Sequence, residues 1–206
     1  MMDLSPRVLE GTHVRLEPLG PHHIAGLCAV GLDPEVWRLT IAKVDSPAAM
    51  ERYVAQALAE QQSGMALPFA TVLRASGQVI GSTRFHGATP AHRRVEIGWT
   101  WLGRTWQRTA ANTEAKYLML RHAFEEWDCL RVEFKTSALN QRSRAALRRI
   151  GAVEEGVLRS HMINEDGTVR DSVYFSILRD EWPSVKLRLE QMMSEHEPTA
   201  TGSRRG

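Results

Sequence analysis

Between Thr12 and Leu19 apolar and polar residues alternate, the period of a half-buried strand. The next stretch, GPHHIAGLCAVGL, loses that alternation and carries Pro21 near its start, where a helix tolerates proline. SPAAMERYVAQALAEQQSG is a stronger helix: Ser46 caps it, Pro47 suits its first turn and Gly64 stops it. Three strand-like runs follow, LPFATVLRA, QVIGSTRFHGA and RVEIGWTWL, separated by turn signals at Ser76-Gly77 and Thr89-Pro90. A helix is expected from Thr113 to about Trp127, because Ala115, Leu118, Leu120, Ala123, Phe124 and Trp127 recur largely at helical spacing. Asn112 or Thr113 would cap it, and Glu114 favours its first turn. Then come the strand RVEFKTSAL and a short helix, NQRSRAALRRIGA, capped by Asn140 and ended by Gly151. Two strands, VEEGVLRSHMI and VRDSVYFSILR, flank an Asn-Glu-Asp-Gly turn at 164–167, and a last helix begins near Glu181. This order predicts an α+β fold, a mixed sheet covered by helices rather than a doubly wound βαβ array.

Composition narrows the class without naming a function. A chain of 206 residues fits one domain, expected over 1–193, and can bury a core without staples. The polar, aperiodic end, residues 194–206, is expected to be a flexible tail. The net charge of +2 gives no argument for nucleic acid, and no apolar run approaches the ~20 residues that span a bilayer. No charged segment followed by an apolar one opens the chain, so no signal peptide is expected. Cys28 and Cys129 form no metal or disulfide spacing and fit a reducing cytoplasm. The eight histidines show no metal-ligand spacing, so no metal is expected; the adjacent His22 and His23 read as surface residues.

Candidate chemistry concentrates between Glu96 and Arg149. Gln107 to Asn112 precede the helix and offer backbone N–H groups at the positive end of its dipole, a natural site for pyrophosphate. Any capped helix start shares that pattern, so the plain structural reading stands beside it. Gly98, inside a strand, suggests a bulge or a close backbone approach. Strict alternation would put Glu96, Gly98 and Thr100 on one face and Val95, Ile97, Trp99 and Trp101 on the other. Trp99, Trp101 and Trp106 read either as pocket walls or as core. Arg142, Arg144, Arg148 and Arg149 make the following helix basic, chiefly as a solvated face.

From Val14 to Trp182 the chain resembles the GNAT superfamily of N-acetyltransferases, specifically its RimJ/RimL-like branch. The resemblance rests on GTHVRLEPL, VEIGWTWL, WQRTAANTEAKYLMLRHAFE, NQRSRAALRRIGAVEEGVLR and YFSILRDEW, in that order. It implies a mostly antiparallel, splayed sheet flanked by helices, and acetyl transfer from acetyl-CoA to a primary amine, either a protein N-terminus or a small amine. The alternative is a non-catalytic acyl-CoA-binding or regulatory module. The family loop [QR]-x-x-G-x-[GA] falls on Gln107, Arg108, Thr109, Ala110, Ala111 and Asn112, with both glycines replaced. By the same resemblance Trp99, Thr100, Trp101 and Leu102 run along the pantetheine arm, Asn140 bonds it, and Thr113 and Arg142 complete the cofactor set. Glu96 would accept the amine proton, against the alternative of a cross-strand salt bridge with Arg84, Arg93 or Arg94. Ser143 would lie near the thioester sulfur, against the alternative of a first-turn serine satisfying a backbone donor. Arg84 and His86 are placed in the substrate pocket, His86 also as a second candidate base. Partners are expected to be acetyl-CoA and an amine acceptor, with a possible homodimer and neither nucleic acid nor membrane.

Overall fold

The computed structural model describes residues 2–195. Eight strands form one sheet in the order β1-β2-β3-β4-β5-β6-β8-β7. These are β1 (Leu9–Glu10), β2 (Val14–Pro18), β3 (Ala66–Leu73), β4 (Val79–Thr89), β5 (Arg94–Leu102), β6 (Arg131–Ser137), β7 (Val153–Ile163) and β8 (Val169–Leu178). Every neighbouring pair is antiparallel except β5 with β6. The helices are α1 (Ile24–Gly31), α2 (Pro34–Trp37), α3 (Pro47–Gln62), α4 (Ala110–Arg121), α5 (Gln141–Arg149) and α6 (Trp182–Ser194). The expected order holds, with the two-residue β1 and the one-turn α2 added. Of the expected tail, Ser194 and Glu195 close α6, and residues 196–206 lie outside the described residues.

The sheet separates two apolar layers. α4 and α6 pack over one face, where Leu118, Met119, Phe134, Phe175 and Leu189 are buried together. α1, α2 and α3 cover β3 to β5 on the other face through Leu27, Trp37, Met50, Val54 and Trp101. Ser46 accepts from the Ala49 N–H and caps α3, as its sequence predicts.

α4 departs from expectation at both ends. It starts at Ala110, and its cap is Thr109, whose hydroxyl accepts from the Ala111 N–H at 3.3 Å. Neither Asn112 nor Thr113 caps it; both lie within the first turns. At the far end, His122–Glu126 form a π-turn rather than regular helix. Glu114 also has another role: buried in α4, it accepts the N–H groups of Thr12, His13 and Val14 at 2.7, 2.7 and 2.6 Å. That carboxylate ties the start of β2 to the helix, satisfying three donors at once.

The β5–β6 pairing sets up the site. α4 is the crossover that two parallel strands require. Only Arg94–Arg131, Val95–Val132 and Glu96–Glu133 pair; beyond Glu96 the strands separate. The register between β4 and β5 shifts around Gly98–Trp101, so the bulge suggested by Gly98 is present, with Trp99 carrying the positive φ of 48°. The bulge overturns the strict alternation. Thr100 turns to the α4 side, where its hydroxyl meets Lys116 Nζ, and Trp101 turns to α3, donating to the Tyr53 hydroxyl.

Candidate active site

The gap between the parted strands is a cavity of about 790 Å³. Its walls are the open side of β5 from Ile97 to Leu102, Phe134 to Thr136 of β6, and the start of α5. The backbone of β5 beyond Glu96 has no strand partner on this side, so an extended amide-bearing ligand can pair with it.

At one end lie Gln107, Arg108 and Asn112. The first-turn N–H groups of Ala110 and Asn112 have no intrahelical acceptor by the geometry of a helix start. Gln107 locks the corner: its Nε2 donates to the Leu102 carbonyl at 2.9 Å, and its Oε1 accepts from Arg142 at 2.8 Å. Arg108 has a φ of 65°, turning the chain into the helix. Ala110, Ala111 and Thr113 are buried, Thr109 is half-buried, and none of the four lines the cavity wall. The two alanine methyls therefore do not fill the cradle.

Glu96 lines the cavity where the strands part. Its ion-pair partner is Lys135 of β6, at 3.4 Å. The expected partners are engaged elsewhere: Arg84 with Glu60, Arg93 with Asp128 and Arg94 with Glu133. A Cβ on Gly98 would come within 2.8 Å of Glu96 Oε1, so glycine leaves this carboxylate its room. Asn140 caps α5 by accepting from the Ser143 N–H at 3.0 Å. The capping is thus done by Asn140, not by the Ser143 hydroxyl, and Ser143 lines the cavity beside Arg142.

Arg84 and His86 stand behind the wall rather than in it. Arg84 is fully buried, its guanidinium 5.0 Å from the Trp99 ring, and the His86 ring lies tilted against Trp99 at 4.4 Å. Burial lowers the His86 pKa, favouring the neutral ring. Together they support Trp99 in its strained backbone conformation. Of the three tryptophans near the loop, Trp99 and Trp101 line the cavity and Trp106 packs against the core; Trp37 lines the cavity as well.

Sequence reasoning missed the basic wall residues Lys116, Lys135 and Arg170, and Arg149, read as part of a solvated face, also lines the cavity. Lys116 is buried on α4, its Nζ 2.7 Å from Thr100 Oγ1, and burial lowers its pKa to about 7. Thr100 Oγ1 also lies 2.7 Å from Thr83 Oγ1, a chain of polar contacts that pins the bulge. Cys28 and Cys129 lie off the cavity; burial raises both thiols, Cys129 to about 12. His23, expected at the surface, is buried and bonded to the Gly20 N–H and Glu17. With His22 these form a trio within 4.8 Å, but both His23 ring nitrogens already have protein partners.

A family model described as Acetyltransferase (GNAT) domain matches residues 13–153. YdaF of Bacillus subtilis (strain 168), which carries the provisional name ribosomal N-acetyltransferase, is 33% identical over 110 residues, 53% of this chain. The match spans 59% of YdaF's length. A GCN5-related N-acetyltransferase structure from Brucella melitensis is 30% identical with a TM-score of 0.86, covering 98% of this chain and 92% of that one. The structure of Mycobacterium smegmatis RimJ in complex with CoA-disulfide is 25% identical with a TM-score of 0.74, covering 93% of each chain.

Proposed function

The chain belongs to the GNAT acetyltransferase family, and from that premise we propose that it transfers an acetyl group directly from acetyl-CoA to a primary amine. The observation that carries the reading is the placement of Glu96 and Ser143 on one cavity that opens where β5 and β6 separate. The residues present suit acetyl-CoA. The open edge of β5 can pair with the amides of the pantetheine arm, and the turn at 107–109 with the start of α4 can hold the pyrophosphate. The relative RimJ was solved with a CoA-disulfide, which supports the same ligand class here.

Acetyl-CoA supplies an acyl group on a good leaving group; the chain supplies position and proton transfer. Glu96, directly or through water, accepts a proton from the bound ammonium so that the amine can attack. The C–N bond forms as the C–S bond breaks; the excess proton left on nitrogen passes to the departing sulfur through solvent or through the Ser143 hydroxyl, which takes up that proton as it gives its own, or only hydrogen-bonds the sulfur. A covalent enzyme intermediate is not required, and both thiols stand off the cavity with raised pKa values that disfavour thiolate.

The loss of both loop glycines would favour the non-catalytic binding module. That argument is weakened by the buried Ala110 methyl; Asn112 is the replacement that meets the cavity. We extend the reading to a homodimer seated on β7, the free edge strand, where Val153, Val157, Leu158 and Ile163 are exposed.

Glu96→Gln tests the mechanism, since it keeps the shape and removes proton acceptance. Turnover should fall by roughly 10²–10⁴-fold, the scale of general base catalysis, with acetyl-CoA affinity nearly unchanged. Undiminished turnover across the pH range would remove Glu96 from the proton path.

A further inference from the structure

Arg170 is 7% exposed, lines the cavity and makes no hydrogen bond or ion pair through its guanidinium among the described residues. Its Nε is buried without a partner. A guanidinium stays charged at neutral pH, and burial penalises that charge; Glu96 offsets the penalty only in part, through space and without a hydrogen bond. Such a group is retained where a ligand completes it.

The surroundings define what that ligand must carry. Arg170 lies on β8 two residues before Ser172, which pairs with Ser137 at the end of β6. By the period of the strand it shares a face with Tyr174, whose register partner is Lys135. Lys135 in turn pairs with Glu96, so Arg170 belongs to the same end of the cavity as the proposed base. Glu96 is the single acid among the described residues lining the cavity, and Lys135 already faces it. An acceptor bearing only positive charge, such as a polyamine, would meet Arg170 and Lys135 with one shared carboxylate for compensation. An amine that carries its own carboxylate would pair with Arg170 while presenting nitrogen to Glu96.

Leu39 to Ala42 form a further wall of the cavity. Ile41 and the adjoining Lys43 are tied to the β7–β8 turn, which holds that wall in place and limits the space for an acceptor. The Glu165 N–H donates to the Ile41 carbonyl at 3.1 Å, and the Lys43 N–H to Glu165 Oε2 at 2.7 Å. Lys43 Nζ adds an ion pair to Asp166 at 3.3 Å.

We infer that Arg170 is a carboxylate receptor and that the acceptor is a small amine bearing a carboxylate, of the amino-acid kind. The inference rests on the acetyltransferase reading and deepens it.

Matched triplets test it: an amino acid, its α-amide and its decarboxylated amine, with glycine, leucine and phenylalanine side chains, assayed by thiol release from acetyl-CoA. Peptides with an acidic or a neutral first residue form a further arm. The free amino acid should be the best member of any triplet that is used. In Arg170→Gln its KM should rise by roughly tenfold to a hundredfold, the scale of a hydrogen bond to a charged group, while the KM of the amide stays near its original value. Arg170→Lys, which keeps the charge but not the fork, should fall between, and it serves if the glutamine variant does not fold. Equal use of acid, amide and amine by the unaltered protein would overturn the inference and leave acetyl transfer standing. Acceptance of peptides alone would overturn the small-acceptor claim. Absence of thiol release with every amine would refute acetyl transfer itself, and this inference with it.

Discussion

Ser143 shows how a residue's role becomes readable once its neighbours are placed. A serine in the first turn of a helix is ordinarily explained by capping, but Asn140 already accepts the Ser143 N–H, leaving the hydroxyl free for the cavity. Ser143→Ala should therefore slow turnover by roughly 10–100-fold, about 1.4–2.7 kcal/mol of barrier, with little change in melting temperature. Asn140→Ala, by contrast, should lower stability by about 1 kcal/mol through loss of the cap. Thermal melts beside single-turnover rates separate the two; a Ser143→Ala protein that melts early yet turns over normally would return the serine to a structural role. The places of Glu96 and Ser143 on the cavity were legible in the sequence because both sit at fixed offsets within recognisable motifs. Lys116, Lys135 and Arg170 were not. A lysine or arginine in a helix or strand reads as solvent-facing, and only tertiary packing turns these three toward the cavity. Arg84 was misread for the converse reason: its strand position allowed the pocket, but Glu60 draws it into the core behind Trp99.

At the level of elements, β5 and α4 were legible as a strand and a helix, and Gly98 signalled the bulge in β5, but neither the effect of that bulge on the strand's faces nor the ends of α4 was legible. The period of two predicted β5 over its observed span, yet one bulge at Gly98–Trp101 reverses the faces of Thr100 and Trp101. Alternation cannot foresee an inserted residue. Likewise the start of α4 was set three residues late, because Asn112 and Thr113 are good caps in isolation and Thr109 is another. The two elements meet at Lys116, whose Nζ reaches Thr100 beside the bulge. Burial holds its pKa at about 7, against about 10.4 for a free lysine. Between those values the unfolded chain keeps the proton that the folded chain gives up. The unfolded state then binds more protons, so this lysine makes stability rise with pH across that window. Below about pH 7 both states are protonated, and the folded state bears the full cost of a buried ammonium. Lys116→Met retains an apolar stem and cannot titrate. Urea midpoints between pH 6 and 9.5 should climb less steeply in the variant than in the unaltered protein; parallel slopes would mean that Lys116 is not depressed.

Across the whole molecule, the sheet brings together parts far apart in sequence: Glu96 from β5, the 107–112 segment, Ser143 from α5, Arg170 from β8 and the wall at 39–42. The mixed sheet, its helices and the strand order's one parallel seam follow from an element order that the hydrophobic pattern gave, and the family motifs located the seam at VEIGWTWL. The wall at 39–42 and the charge balance of the acceptor end arise from contacts between segments distant in sequence, which periodicity does not encode. The central claim is acetyl transfer to an amine at this seam, and amine-dependent release of free thiol from acetyl-CoA, with mass analysis of the amine, tests it most directly. The account predicts thiol release that requires both protein and amine, matched by equal formation of the N-acetylated product. Acetyl-CoA that binds but is not consumed with any amine, or thiol release indifferent to the amine, would contradict it.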